Sequence, residues 1–254
     1  MAKMMLAVAA ALVLGRAADE DLDKAAAKAA EMANYSCTIT VKMEGGGGGG
    51  GGGQGGAQPV EMNIKADAPI HLKSGEIEAY RKGEVLAAKE GETWKRVERP
   101  ERGQGGGGEG RDRKAMALQR LRGARAPHEV LKELKSAAFK EVKREDTEGS
   151  RVFSGDLTDE ALKALRPAGR RGGGGGGGGD RPQPKSTGTA KIWVNSDGVV
   201  TKYEVHIETT SKNREDEDVT TKFTSTVELK DVGTTKYDVP EEAAKLFEAK
   251  TGEK

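Results

Sequence analysis

The stretch Thr201–Val232, "TKYEVHIETTSKNREDEDVTTKFTSTVELKDV", decides the fold class. Tyr203, Val205 and Ile207 fall on one face of an extended chain, with Lys202, Glu204 and His206 on the other. After the charged run "NREDED" the alternation resumes, with Val219, Phe223, Val227 and Leu229 as the apolar positions. Two long runs with a period of two, apolar inward and Thr, Lys or Glu outward, read as a half-buried antiparallel hairpin. The acidic run lacks the glycine and the ligand spacing of an EF-hand loop, so it reads as the turn between the strands.

The same alternation appears near the start of the chain. "YSCTITVKM" places Tyr35, Cys37, Ile39, Val41 and Met43 on one face, and "VEMNI" does so with Val60, Met62 and Ile64. Between Ile70 and Val97 the chain breaks into short strands at Ser74-Gly75, Lys82-Gly83 and Glu90-Gly91, each a hairpin-turn signal. Helical signals are shorter. An alanine-rich segment runs from Ala18 to Tyr35, "APHEVLKELKSAAF" spaces Val130, Leu131, Leu134 and Ala138 along one face, "LTDEALKAL" starts at a Thr158 cap, and "VPEEAAKLFEAK" has Pro240 at a helix start. Leu157 and Leu162 stand where a hydrophobic staple forms. The expected class is α+β.

Glycine tracts interrupt these elements at 44–58, 103–110 and 168–188, and much of the chain's 37 glycines lies in them. Loop closure costs only about 0.6 kcal/mol per doubling of length, so such tracts are expected as tolerated insertions within a single domain spanning 18–254. No tract has the strand–loop–helix offsets of a phosphate-binding loop. Arginines flank two of them, but without interleaved aromatics for base stacking, so nucleic acid is not an expected partner. Net charge is +1, which favours no class of partner.

The N-terminus has a basic residue, Lys3, an apolar run from Met4 to Leu14 and small residues Gly15 and Ala17 before an acidic stretch. This layout predicts a signal peptide over residues 1–17 and an exported, soluble protein in the periplasm or an equivalent extracytoplasmic space. The run is too short to span a bilayer. A lone cysteine, Cys37, excludes an intramolecular disulfide and reads as a small core residue. Enzyme motifs are absent, and His71, His128 and His206 have no ligand spacing, so no catalytic residue, metal or cofactor is expected.

Taken together, the leader, the helix entering "YSCTITVKM", the meander, "SGDLTDEALKAL", Trp193 with Gly198, Asp231–Gly233 and Pro240 resemble the LolA-like superfamily of exported lipid and lipoprotein carriers, nearest its LppX/LprG-type branch. The resemblance implies an unclosed antiparallel β-barrel, a half-barrel, with helices packed in or across its concave face and an apolar cavity that takes acyl chains. Ile39, Val41, Met62, Ile64, Tyr203, Val205 and Phe223 would line that cavity. The implied partner is a lipid acyl chain or a lipoprotein, with at most transient membrane contact and possible envelope-protein partners. The alternative is a protein-interaction or sensor domain of the same fold without lipid cargo, because alternation cannot separate a lined cavity from a packed core.

Overall fold

The computed structural model describes residues 17–45, 58–98, 113–165, 184–213 and 216–248. Helix α1, residues 17–30, leads into β1 (Asn34–Gly45), β2 (Val60–Lys65), β3 (Ile70–Ser74), β4 (Ile77–Lys82), β5 (Val85–Glu90) and β6 (Thr93–Arg96). Helices α2 (Arg113–Gly123) and α3 (Pro127–Leu131) follow, then β7 (Lys143–Thr147), β8 (Ser150–Asp156) and α4 (Asp159–Leu165). The chain closes with β9 (Lys185–Asn195), β10 (Val200–Lys212), β11 (Asp218–Lys230) and α5 (Glu241–Glu248).

The strands form one antiparallel sheet in the order β6-β5-β4-β3-β2-β1-β11-β10-β9-β8-β7, open at β6 and β7. This is the expected α+β fold with an unclosed sheet. Two compact units divide the described residues. The first holds residues 17–32, 40–45, 125–165, 184–213 and 216–228, and the second holds 33–39, 58–98, 113–124 and 229–248. Residues 1–16 of the expected leader, 46–57 of the first glycine tract, all of the second and 168–183 of the third lie outside the described residues, and β9 begins at Lys185, inside the stretch assigned to the third tract.

In the second unit the meander is built from two-residue loops. Ser74 pairs with Ile77, Lys82 with Val85 and Glu90 with Thr93, leaving Gly-Glu at each turn. Gly75, Gly83 and Gly91 have φ of 58°, 56° and 62°, while the glutamates after them stay at negative φ. Only glycine takes that first position without strain, and it gives the II′-type twist that keeps short strands paired. One face carries Cys37, Met62, Leu72, Ala79 and Ala88 in cross-strand register. The other carries Asn63, His71, Tyr80 and Ala87.

Both faces are buried at β4 and β5, where Ala79, Tyr80, Leu86, Ala87 and Ala88 are all enclosed. Arg81, on the face of Ala79, donates to the carbonyls of Leu121, Arg122 and Ala124, which lack intrahelical partners at the end of α2. Arg122 in turn donates to the Val97 and Glu98 carbonyls. Two arginines read from the sequence as flanking a glycine tract are thus bound up in tertiary structure, Arg122 here and Arg125 in the first unit.

In the first unit the long strands bury one face. Phe153, Ile192, Tyr203 and Val227 form one cross-strand row, and Gly155, Ala190, Val205 and Ser225 the next. Gly188 begins the third, opposite Ile207, which faces Phe223. A Cβ at Gly188 would come within 2.8 Å of Leu162 Cδ2 and 2.6 Å of the His206 carbonyl, so its lack of a side chain is what lets α4 lie against the sheet.

Helix α4 is entered as expected. The Ala161 amide donates to Thr158 Oγ1 at 3.4 Å, and Leu157 and Leu162 are both buried. At its other end Arg125 donates to the Ala164 carbonyl and makes a two-pronged pair with Glu133 at 2.8 and 3.0 Å. Helix α1 buries the stripe Ala18, Leu22, Ala25, Ala26 and Ala29. Its polar side is tied down by Asp23, which accepts from the Ser136 amide and hydroxyl, and by Asp21, which pairs with Arg144 at 2.6 Å and Arg151 at 3.4 Å.

Two expectations need correction. The single helix read across "APHEVLKELKSAAF" is α3, five residues long, followed by a separate 3-10 turn at Ser136–Ala138. Capping by Pro127 and Glu129 starts the helix, and the chain then bends so that Leu131, Leu134 and Ala138 are all buried. Between the helical segments read at "APHEVLKELKSAAF" and "LTDEALKAL" the chain also forms the hairpin β7–β8, for which no strand was expected. Strand β7, "KREDT", is exposed at every position and so carries no apolar alternation.

Candidate functional site

The seven residues expected to line a cavity divide between the units. Ile39, Met62 and Ile64 belong to the second, and Val41, Tyr203, Val205 and Phe223 to the first. Met62 has no exposed surface and sits between Cys37 and Leu72 in the register. Ile64 is buried opposite Tyr35, and Ile39 is half-buried opposite Val60. Tyr203 and Val205 are 2% and 3% exposed. A water-sized void beside a side chain would leave it accessible surface, so these buried residues face packed atoms.

Ile39, Val41 and Phe223 differ from the other four because they are only half-buried, and of these Val41 and Phe223 belong to the first unit, on the adjacent strands β1 and β11. Along the inward face of the β10–β11 hairpin the character changes in order. The pairs Tyr203–Val227 and Ile207–Phe223 give way to Thr209–Thr221 and then Ser211–Val219. Thr209 is further joined to Ser186 at 2.9 Å. Burial falls along the same line, from 3% at Ile207 to the half-exposed Phe223, Thr221 and Val219. On β1, Met43 beyond Val41 is 53% exposed. The β10–β11 face is therefore closed at one end and accessible toward the other, where Phe223 and Val219 stand among the hydroxyls of Thr209, Thr221 and Ser211.

Both turns of these long strands are held by an asparagine side chain. Asn195 Oδ1 accepts from the Asp197 and Val199 amides, with Gly198 at φ 75°, and Asn213 Oδ1 accepts from the Glu217 amide. The described part of the acidic run, Asn213 with Asp216 and Glu217, thus lies between β10 and β11. His206 lies on the outer face, exposed and 2.9 Å from the Thr224 hydroxyl.

One cluster escaped the sequence reading because it joins residues of low individual signal. In the second unit His71 Nδ1 lies 2.9 Å from Asn63 Nδ2, and its Nε2 lies 3.0 Å from Glu78 Oε1. Its ring is 4.9 Å from that of Tyr80 and 6.1 Å from that of Tyr237, and Tyr80 meets Trp94 at 5.1 Å. The phenols are committed: Tyr80 donates to the Asp238 carbonyl at 3.0 Å and Tyr237 to the Pro69 carbonyl at 2.8 Å. Burial, reinforced by Glu78, Tyr237 and Asp238, pushes the Tyr80 phenol up to about 12, and burial also raises Tyr237.

Both ring nitrogens of His71 are used, and the hydrogen bonds of Tyr80 to Asp238 and of Tyr237 to Pro69 pin the segment before α5. The Cys37 thiol is pushed up to about 12 by burial, which leaves it neutral and unreactive. Among the described residues no group of three or more His, Cys, Asp or Glu side chains is placed to hold a metal ion.

No family model matches the chain, and no curated protein matches it. Among solved structures, the crystal structure of LprF from Mycobacterium bovis shows a distant likeness, at 12% identity and a TM-score of 0.42 over 90% of this chain and 98% of that one. A TM-score so low carries no argument about function, which rests on the residues themselves.

Proposed function

We propose that the protein is an exported, non-catalytic binder of a hydrophobic chain, such as the acyl chain of a lipid or lipoprotein, taken up on the inward sheet face of the first unit. The observation that carries this reading is the gradient on that face. Tyr203, Val205 and Ile207 are closed off, whereas Phe223 and Val219 on β11 and Val41 on β1 keep accessible apolar surface. Covering such surface with an alkyl chain is favourable by about 0.8 kcal/mol for each methylene removed from water. The neighbouring hydroxyls of Thr209, Thr221 and Ser186 suit the polar end of such a ligand.

Export is supported by Lys3 and the apolar run Met4–Leu14. No helix among the described residues is long and apolar enough to cross a membrane, a statement that does not bear on membrane-crossing strands.

The test is titration of the full chain with a fluorescent fatty-acyl probe, comparing the native protein with Val41→Glu/Phe223→Glu. Both positions are half-exposed, so the variant is expected to keep its thermal midpoint while probe affinity falls roughly ten-fold or more, as charge replaces apolar contact. A native protein that never binds the probe, or a variant that binds it equally well, overturns the reading. Failure of the native protein would turn attention to a protein-interaction role for the same surface.

A further inference from the structure

The edge of the sheet in the first unit carries a feature that the acyl-chain reading does not use. Phe139 pairs with Leu157 and Lys143 with Ser154. Three residues, Lys140–Val142, therefore oppose two, Gly155 and Asp156, which defines a β-bulge. The bulge fits because position 155 is glycine, where a Cβ would overlap the Glu141 carbonyl and approach Phe139 Cδ1 at 3.1 Å.

Its consequence is one of facing. Lys140 and Lys143 are three residues apart, so in an unbroken ladder they would point to opposite sides of the sheet. With the extra residue, Lys140 is aligned with Asp156, whose carbonyl accepts its amide at 2.8 Å, and Lys143 with Ser154. Ser154 and Asp156 share the outward face, and their partners on β9 are Lys191 and Thr189. Lys143, Ser154 and Lys191 thus form one cross-strand row, and Lys140, Asp156 and Thr189 the next.

These residues line a groove of about 280 Å³, together with Glu141, Gly155 and Ala190. Its lining includes three lysines and two acidic residues, and none of the three lysines has an ion-pair partner among the described residues. The Ser154 and Thr189 hydroxyls likewise have no hydrogen-bond partner among them. By contrast Glu204, the neighbour of Lys191 on β10, is paired with Lys202 at 2.9 Å. Lysines without ion-pair partners and hydroxyls without hydrogen-bond partners around one small concavity suit an anion with several acceptor oxygens.

We propose that this bulged corner is a binding site for a phosphate-bearing group, with Lys140, Lys143 and Lys191 as charge donors, Ser154 and Thr189 as hydroxyl donors, and Asp156 accepting from a ligand hydroxyl or amine. The proposal does not rest on the acyl-chain reading. The group is either a free phosphate ester or a phospholipid headgroup.

The experiment titrates the full chain with glycerol 3-phosphate by calorimetry, and separately measures cosedimentation with phosphatidylcholine vesicles with and without phosphatidic acid. Saturable binding of glycerol 3-phosphate assigns the site to a soluble ester, and binding only to vesicles that contain phosphatidic acid assigns it to a headgroup. In either case Lys143→Gln/Lys191→Gln is expected to weaken binding roughly ten-fold or more with an unchanged thermal midpoint, since both lysines are exposed. Lys73→Gln/Lys82→Gln, which removes two exposed charges in the second unit, is expected to leave binding intact. No saturable binding to either probe, or equal loss in the two double variants, overturns the proposal and leaves only non-specific attraction.

Discussion

The hairpins β3–β5 and the strands β8–β11 solve the same problem differently. In the second unit the strands are five or six residues long and β4 and β5 are covered on both faces, with Ala79, Ala87 and Ala88 small enough for close approach. In the first unit β10 and β11 are thirteen residues long and bury one face, while Lys, Glu, Thr and His occupy the other. The lesson is that burial on two faces removes the tolerance a sheet has for change, whereas burial on one face leaves a whole surface open to binding.

The sharpest break of this comparison is Tyr80→Ala. It removes a buried ring, its contacts with His71, Trp94 and Tyr237, and its hydrogen bond to Asp238. A loss of about 3–5 kcal/mol is expected, as for other buried aromatics, read from the urea midpoint. A loss near zero would mean that the second face of β4 is not a packed one.

Alkaline pH should act on the same unit. The Cys37 thiol rises from 9.0 to about 12 and the Tyr80 phenol from 10.0 to about 12 on folding. Above pH 9 the unfolded chain gives up these protons first, so stability is full below that pH and falls as pH rises toward 12. Denaturation midpoints measured across that window are expected to fall, and Cys37→Ala to flatten the lower part of the decline. A flat profile would contradict the buried, neutral thiol.

In the first unit Val205→Trp probes the closed end of the binding face. Val205 is 3% exposed between Ala190 and Ser225, so the added ring is expected to cost about 1–3 kcal/mol in denaturant unfolding. An unchanged midpoint would show that the closed end holds room for a ligand after all. The smallest effect is expected on the outer face, where Lys222→Ala breaks an exposed 3.7 Å pair with Glu208 and should change stability by at most about 1 kcal/mol.

Much of this was legible beforehand. The period-two runs at β1, β2, β10 and β11 correspond to strands, the three Gly-Glu loops fall at the expected hairpins, and Thr158 and Pro240 stand at the starts of α4 and α5. The hairpin β7–β8 was not, because a strand with no buried residue has no apolar period to read. Nor was the His71 cluster, whose members come from β2, β3, β4 and the segment before α5 and meet only after folding.

By itself, then, the sequence determined where strands run, which side of each long strand is apolar and where glycine turns the chain, because these depend on neighbours one to four residues away. Tertiary structure decided which apolar residues are sealed and which stay accessible. Met62, Val205 and Phe223 share one pattern in sequence, yet only Phe223 keeps open surface. It also decided that Lys140 and Lys143 face the same way. That outcome follows from a register shift of one residue against β8, set by the glycine at 155, and such a shift exists only once two distant segments have paired.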